Sequence, residues 1–210
     1  TVEQALRKAN GGFDVLPGSA DLTADAIKLM EALAREHRLR EALQRVRERY
    51  HYILIDCPPS LNLLTLNALT AADGVLVPMQ CEYFALEGLS ALMNTVNAVK
   101  QRLNPRLEID GILRTMYDVR NNLGNDVSAQ LLEHFGDKVF RTMIPRNVRV
   151  AEAPSHGQSI VEYDRSSRGS IAYLGLAGEV IRREKQHGAL EYFECVGDDL
   201  KVKFGMPFTK

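Results

Sequence analysis

Apolar residues along this chain come in short unbroken runs, separated by longer stretches in which they recur every three or four positions. The runs are FDVLPGS (13–19), YILID (52–56), GVLVPM (74–79), IDGILRTMYD (109–118) and KVFRTMIP (138–145). Each is too brief and too β-branched for a helix, and reads as a buried strand. Helical spacing fills the intervals. Residues 21–49 hold no proline, and Leu22, Ala26, Leu29, Met30 and Leu33, then Leu39, Leu43, Val46 and Tyr50, follow the helical period, so one long helix or two abutting ones are expected. Helices are also expected over LNLLTLNALTAAD (61–73), 86–103, 125–137 and 168–186. Strand and helix alternate throughout, and the strands are apolar on both faces. That is the pattern of a doubly wound, mostly parallel α/β sheet with helices on both sides. One domain is expected over 1–186, with 187–210 as a C-terminal extension of little fixed structure.

Composition narrows the function classes. With 26 basic and 27 acidic residues among 210, the chain has no global attraction for nucleic acid, and any DNA contact needs a local patch. No apolar run approaches the ~20 residues of a membrane-spanning helix, and TVEQALRKANGG carries no hydrophobic signal core, so the expectation is a cytoplasmic protein without a membrane role. Cys57, Cys81 and Cys195 lack the paired spacing of zinc or redox sites and read as buried or free thiols. The first residue is Thr1, which suggests a fragment or a processed product.

The carboxylate closing YILID is the first candidate for chemistry. Ligands of doubly wound sheets sit at the carboxyl ends of the strands, where Asp56 stands, and a strand-end aspartate in phosphate-transferring enzymes holds magnesium. The plainer alternative is a helix cap, or a residue ordering the Cys57-Pro58-Pro59 turn. Ser155, His156 and Asp164 raise the thought of a hydrolase, but sequence neighbours rarely reach triad geometry and no GxSxG elbow is present. PSHGQS reads instead as a turn in which Gly157 supplies an unusual backbone shape. Gly11-Gly12 also reads as a turn. The stripe Leu86, Leu89, Leu92, Met93, Val96 and Val99 reads as core, with a dimer or partner groove as the alternative. Tyr83 and Phe84 either serve a dimer face or close the core.

Taken in order, ILIDCPPSLNLLTLNALTAAD, GVLVPMQCEYFALEGLSAL, TMYDVRNNL and FGDKVFRTMIPRNVRVAEAPSHGQSIVEYDRSSRGSIAYLGLAGEVIRR resemble the ParA/Soj-type chromosome and plasmid partition ATPases. The resemblance spans about residues 13–183. MinD and the nitrogenase iron protein, other deviant Walker ATPases, share the ILID element but are not expected to carry IPRNVRVAEAPSHG. The resemblance implies a P-loop NTPase fold and an ATP-switched dimer that binds DNA of the nucleoid without sequence preference. It also implies ATP and magnesium as cofactors, and a ParB-like partner that stimulates hydrolysis. Residue by residue, it makes Asp56 the carboxylate that organises magnesium and water, and so a catalytic and metal position. Met116, Pro145, Arg146 and Asn147 fall on nucleotide-binding positions, and Arg120 and Arg149 on DNA-contacting ones.

Two family elements are missing from these 210 residues. One is the phosphate-binding loop KGGVGKTT, since no GxxxxGKS/T occurs; the other is DxDPQGN, which orients the attacking water. The loop's backbone N–H groups and lysine offset phosphate charge, so feeble ATP binding is expected, together with uncovered strand edges where the loop's strand belongs. The fold is therefore expected to be incomplete at its N-terminus. Three functions compete: a partition ATPase seen without its first segment; a nonenzymatic remnant that still docks DNA or a ParB-like partner; and a relative that positions another cargo.

Overall fold

The structure is a computed structural model and describes residues 1–18, 22–58, 60–187, 192–194 and 201–204. The chain divides into two compact units: Thr1–Leu76, Asn94–Ile109 and Leu190–Lys210 form the first, and Val77–Met93 and Asp110–Ala189 the second.

The first unit opens with helix α1 (Val2–Ala5) and a hairpin of β1 (Arg7–Lys8) and β2 (Asp14–Leu16). Gly12, at φ +80°, makes the turn expected of the glycine pair. The region expected to be one or two helices is broken. Helix α2 (Leu22–Leu29) and helix α3 (Arg38–Gln44) are separated by Ala34 in the left-handed region, at φ 50°. Arg35 holds the break by donating to the Met30 carbonyl at 2.8 Å. Strand β3 (Ile53–Asp56) buries Ile53 and Ile55 and leaves Asp56 half-buried. Helix α4 (Leu63–Ala71) starts where the Asn62 side chain accepts the Leu64 and Thr65 N–H groups at 2.9 and 3.0 Å, satisfying donors a helix start leaves open. Buried Asn67 fastens this helix to α3: it accepts the Leu39 N–H at 3.1 Å and donates to the Arg35 carbonyl at 2.8 Å. Buried Asn104 in turn caps the Leu69 and Ala72 carbonyls at 3.0 and 2.6 Å.

The sheet order in this unit is β1-β2-β8-β3-β7-β4, with β4 Gly74–Gln80, β7 Tyr192–Glu194 and β8 Lys201–Phe204. Strand β7 is parallel to β3 and β4; β8 is antiparallel to β2 and β3. Edges expected to be bare are therefore paired. The physical reason is that the N–H and C=O groups of an inner strand are costly to leave unmatched, and the C-terminal segment satisfies them. The expected loose extension, 187–210, lies for the most part outside the described residues, as does Cys195; what is described of it beyond His187 is these two strands.

In the second unit the order is β4-β5-β6, with β5 Glu108–Tyr117 parallel to β6 Val139–Pro145. Helix α5 (Ala85–Arg102) begins in this unit, where it buries Leu89, and its second half, with buried Val96 and Val99, belongs to the first; the three bear out the core reading of its stripe. Helix α6 (Asn122–Phe135) follows β5. After β6 come α7 (Val148–Glu152), α8 (Ile160–Tyr163) and α9 (Arg168–His187). Helix α9 clamps β6 through polar contacts. Buried Glu179 accepts the Arg141 and Thr142 N–H groups at 2.8 and 2.9 Å and the Thr142 hydroxyl at 2.8 Å. Arg183 donates to the Val139 and Asp110 carbonyls at 2.9 and 3.1 Å and lies 4.1 Å from the Phe140 ring centroid. Gly169 is required at the start of α9, because a Cβ there would stand 2.2 Å from Val150 Cγ2.

Candidate functional site

The ends of β4, β5 and β6 meet in the second unit. Each strand is an apolar run that gives way to polar residues at its carboxyl end: Gln80 and Glu82, Tyr117 and Asp118, and Arg146 and Asn147. The backbone joins two of them, since the Arg146 N–H donates to the Tyr117 carbonyl at 3.0 Å. A cavity of about 380 Å³ opens here, lined by Gln80, Cys81, Glu82, Met116, Tyr117, Asp118, Asn121, Gly124 and Arg146. Its walls mix carboxylate, amide and guanidinium groups with the Met116 side chain, which suits a flat polar heterocycle better than an apolar ligand.

Met116 holds φ 48°, a left-handed conformation that non-glycine residues rarely adopt and that clusters at ligand sites. Asn121 caps α6, accepting the Gly124 N–H at 3.3 Å, and Tyr117 donates to Asn125 at 2.7 Å, so the loop between β5 and α6 is held at both ends. Arg120 donates to Asp118 through Nε at 2.9 Å and Nη2 at 2.7 Å, and through its backbone N–H at 3.0 Å. These side-chain and backbone hydrogen bonds hold the Asp118 carboxyl far below the usual carboxylate range. Burial pushes the Cys81 thiol up, which leaves it a poor nucleophile.

Of the positions singled out in the sequence, Met116 and Arg146 line this one cavity. Pro145 ends β6 beside it, and Asn147 caps α7, its side chain accepting the Val150 N–H at 3.3 Å. Arg149, on α7, donates to Glu152 at 3.0 Å and lies 3.8 Å from Asp164. Asp56 belongs to the first unit, half-buried at the end of β3. Among the described residues no group of three or more His, Cys, Asp or Glu side chains could cage a metal. The hydrolase constellation dissolves: the Ser155 hydroxyl donates to the Glu152 carbonyl at 2.7 Å, and the His156 ring stacks on Tyr163 at 4.8 Å. Gly157 makes the expected turn at φ 65°. Gln80, Glu82, Asp118 and Asn121 were not singled out from the sequence. The signal that finds them is their place just past the carboxyl ends of apolar strands.

A family model described as an AAA domain matches residues 1–109. The chain is 54% identical over 190 residues to the chromosome partitioning protein ParA of Caulobacter vibrioides, covering 90% of this chain and 71% of that protein. To the sporulation initiation inhibitor protein Soj of Bacillus subtilis it is 55% identical over 168 residues, covering 80% of this chain and 66% of that one. The chain belongs to the ParA/Soj family of chromosome-partitioning ATPases. It is a ParA-family partition protein with the α/β fold of P-loop NTPases. The crystal structure of cobyrinic acid a,c-diamide synthase from Mycobacterium smegmatis with bound ADP and magnesium superposes with a TM-score of 0.70 at 30% identity, over 90% of this chain and 70% of that one. Among the described residues of this ParA-family chain, no helix is long and apolar enough to cross a membrane.

Proposed function

We propose that the cavity at the ends of β4, β5 and β6 receives the base of an adenine nucleotide, and that nucleotide occupancy governs DNA binding by this partition protein. What carries the reading is the meeting of Met116 and Arg146 on one cavity wall, because the two come from separate strands and both fall on family nucleotide positions. Gln80, Asn121 and the carboxylates offer donors and acceptors to a purine edge, while Pro145 and Asn147 fix the course of the neighbouring loop.

Asp56 is the candidate for magnesium. The ion is usually held by one or two carboxylates with water and phosphate oxygens, so a single half-exposed aspartate fits it without a protein cage. ATP with magnesium would supply the hydrolysable phosphate bond; the residues here would bind and orient it. Arg120 and Arg149 would contact DNA phosphates. Their side chains are 86% and 56% exposed, as a sequence-independent contact requires. A homodimer on ATP, a ParB-like partner and a nucleoid location in the cytoplasm complete the reading.

The test is a titration of the methionine-methyl-labelled chain with adenosine and with ATP and magnesium. The Met116 methyl resonance is expected to shift with adenosine, while ATP with magnesium is expected to bind with a dissociation constant no tighter than millimolar, since the 210 residues hold no GxxxxGKS/T loop to cradle its phosphates. An unmoved Met116 signal at saturating adenosine refutes the base pocket. Micromolar ATP binding by calorimetry refutes the expected weakness.

A further inference from the structure

One ion pair joins the cavity to a candidate DNA contact. Asp118 is part of the cavity wall, yet both its carboxylate oxygens are taken by Arg120, one of them by the backbone N–H as well. The Arg120 side chain is 86% exposed, so its charge stands at the surface while its fork of donors is engaged by one carboxylate. A DNA phosphate would need the same fork. The other charged side chains on this cavity wall are Glu82 and Arg146, and the Arg146 charge also acts on Asp118. Exposed ion pairs are weak, so a hydrogen-bond donor reaching an Asp118 oxygen from inside the cavity can compete with Arg120 for it.

We propose that Asp118 is a latch on Arg120. The carboxylate engages the guanidinium until a ligand amino group in the cavity takes one of its oxygens and frees Arg120 for DNA phosphate. The inference rests on the reading above of the cavity as a base site and of Arg120 as a DNA contact. Asp118 is here a positioning residue that acts through Arg120.

The experiment measures retention of random-sequence duplex DNA across a salt series by the full chain and by Asp118→Asn, Arg120→Ala and the double variant. Asp118→Asn is expected to tighten retention about three- to tenfold and to steepen the log–log salt slope by roughly 0.9, the increment of one further phosphate contact. The double variant is expected to match Arg120→Ala. Adenosine should strengthen retention by the unsubstituted chain and leave Asp118→Asn unmoved, while inosine, without the exocyclic amine, should act on neither. The latch is overturned if Asp118→Asn equals the unsubstituted chain, if its gain survives in the Arg120→Ala background, or if adenosine acts equally on both. Those outcomes leave DNA binding itself standing. If none of the four proteins retains DNA, the latch and the DNA-binding reading fall together.

Discussion

Two strand ends of this molecule carry candidate chemistry in different ways. At the end of β3 a single carboxylate, Asp56, closes a buried strand, and the following helix is firmly seated by two N–H groups that donate to the Asn62 side chain. At the ends of β4, β5 and β6 no single residue dominates. Side chains from three strand ends line one cavity, and the course of β6 is held from behind by Glu179 and Arg183 on α9. The first kind of site announces itself in sequence, because one polar residue interrupts an apolar run. The second exists only once several runs are placed side by side, so it depends on distant contacts that keep the strands in register.

Breaking the clamp behind β6 should therefore give the largest effect. Glu179→Ala removes the acceptor of three donors and leaves Arg183 without its carboxylate, 3.1 Å away, among largely buried groups. A loss of about 3–5 kcal/mol in unfolding free energy is expected from urea titration, the range for breaking a buried pair. The pH dependence sharpens the point. Burial alone raises the Glu179 pKa, but the Arg141 and Thr142 donors and Arg183 together outweigh it and hold the carboxyl below its usual 4.5. A depressed folded pKa stabilises the fold above the unfolded value and loses that contribution as pH falls through the folded one. The stability difference between the unsubstituted chain and Glu179→Gln should thus be full at neutral pH and shrink below about pH 4.5. A difference constant down to pH 3 would mean that the charge of Glu179 plays no part.

How much of this was legible in the sequence follows the same division. The apolar runs at 52–56, 74–79, 109–118 and 138–145 became β3, β4, β5 and β6 within a residue or two, because burial on both faces leaves a continuous hydrophobic signature. The break at Ala34 was legible only in part: the apolar spacing lapses between Leu33 and Leu39, as two abutting helices would have it, but no glycine or proline marks the turn. Strands β7 and β8 were not legible, since segments of three and four residues take their conformation from the partners they pair with. In the site, Met116 and Arg146 were reached through the family resemblance, whereas Asp118 was passed over. Its bond to Arg120 joins residues two apart in a loop, where no helix or strand period applies.

Caps offer a smaller and more local contrast between the two regions. Asn62 accepts two N–H groups at 2.9 and 3.0 Å, and Asn147 accepts one at 3.3 Å. Asn62→Ala should cost roughly 1–2 kcal/mol, and Asn147→Ala about 0.5 kcal/mol, by urea titration. The response to adenosine should rank the other way. Asn147→Ala loosens the turn out of β6 beside the cavity and should weaken the Met116 methyl shift, while Asn62→Ala should leave that shift unchanged.

Arg149 gives the smallest expected effect on stability and a separate test of what surface arginines do here. Its contacts to Glu152 at 3.0 Å and Asp164 at 3.8 Å are made by side chains between 31% and 56% exposed, where solvent and salt screen the attraction. Arg149→Ala should therefore leave the midpoint of urea unfolding almost unchanged. If the side chain meets DNA, the same substitution should lower the salt slope of DNA retention by roughly 0.9, one phosphate contact. A clear drop in the urea midpoint with an unchanged salt slope would make Arg149 a brace between α7 and Asp164 rather than a contact for nucleic acid.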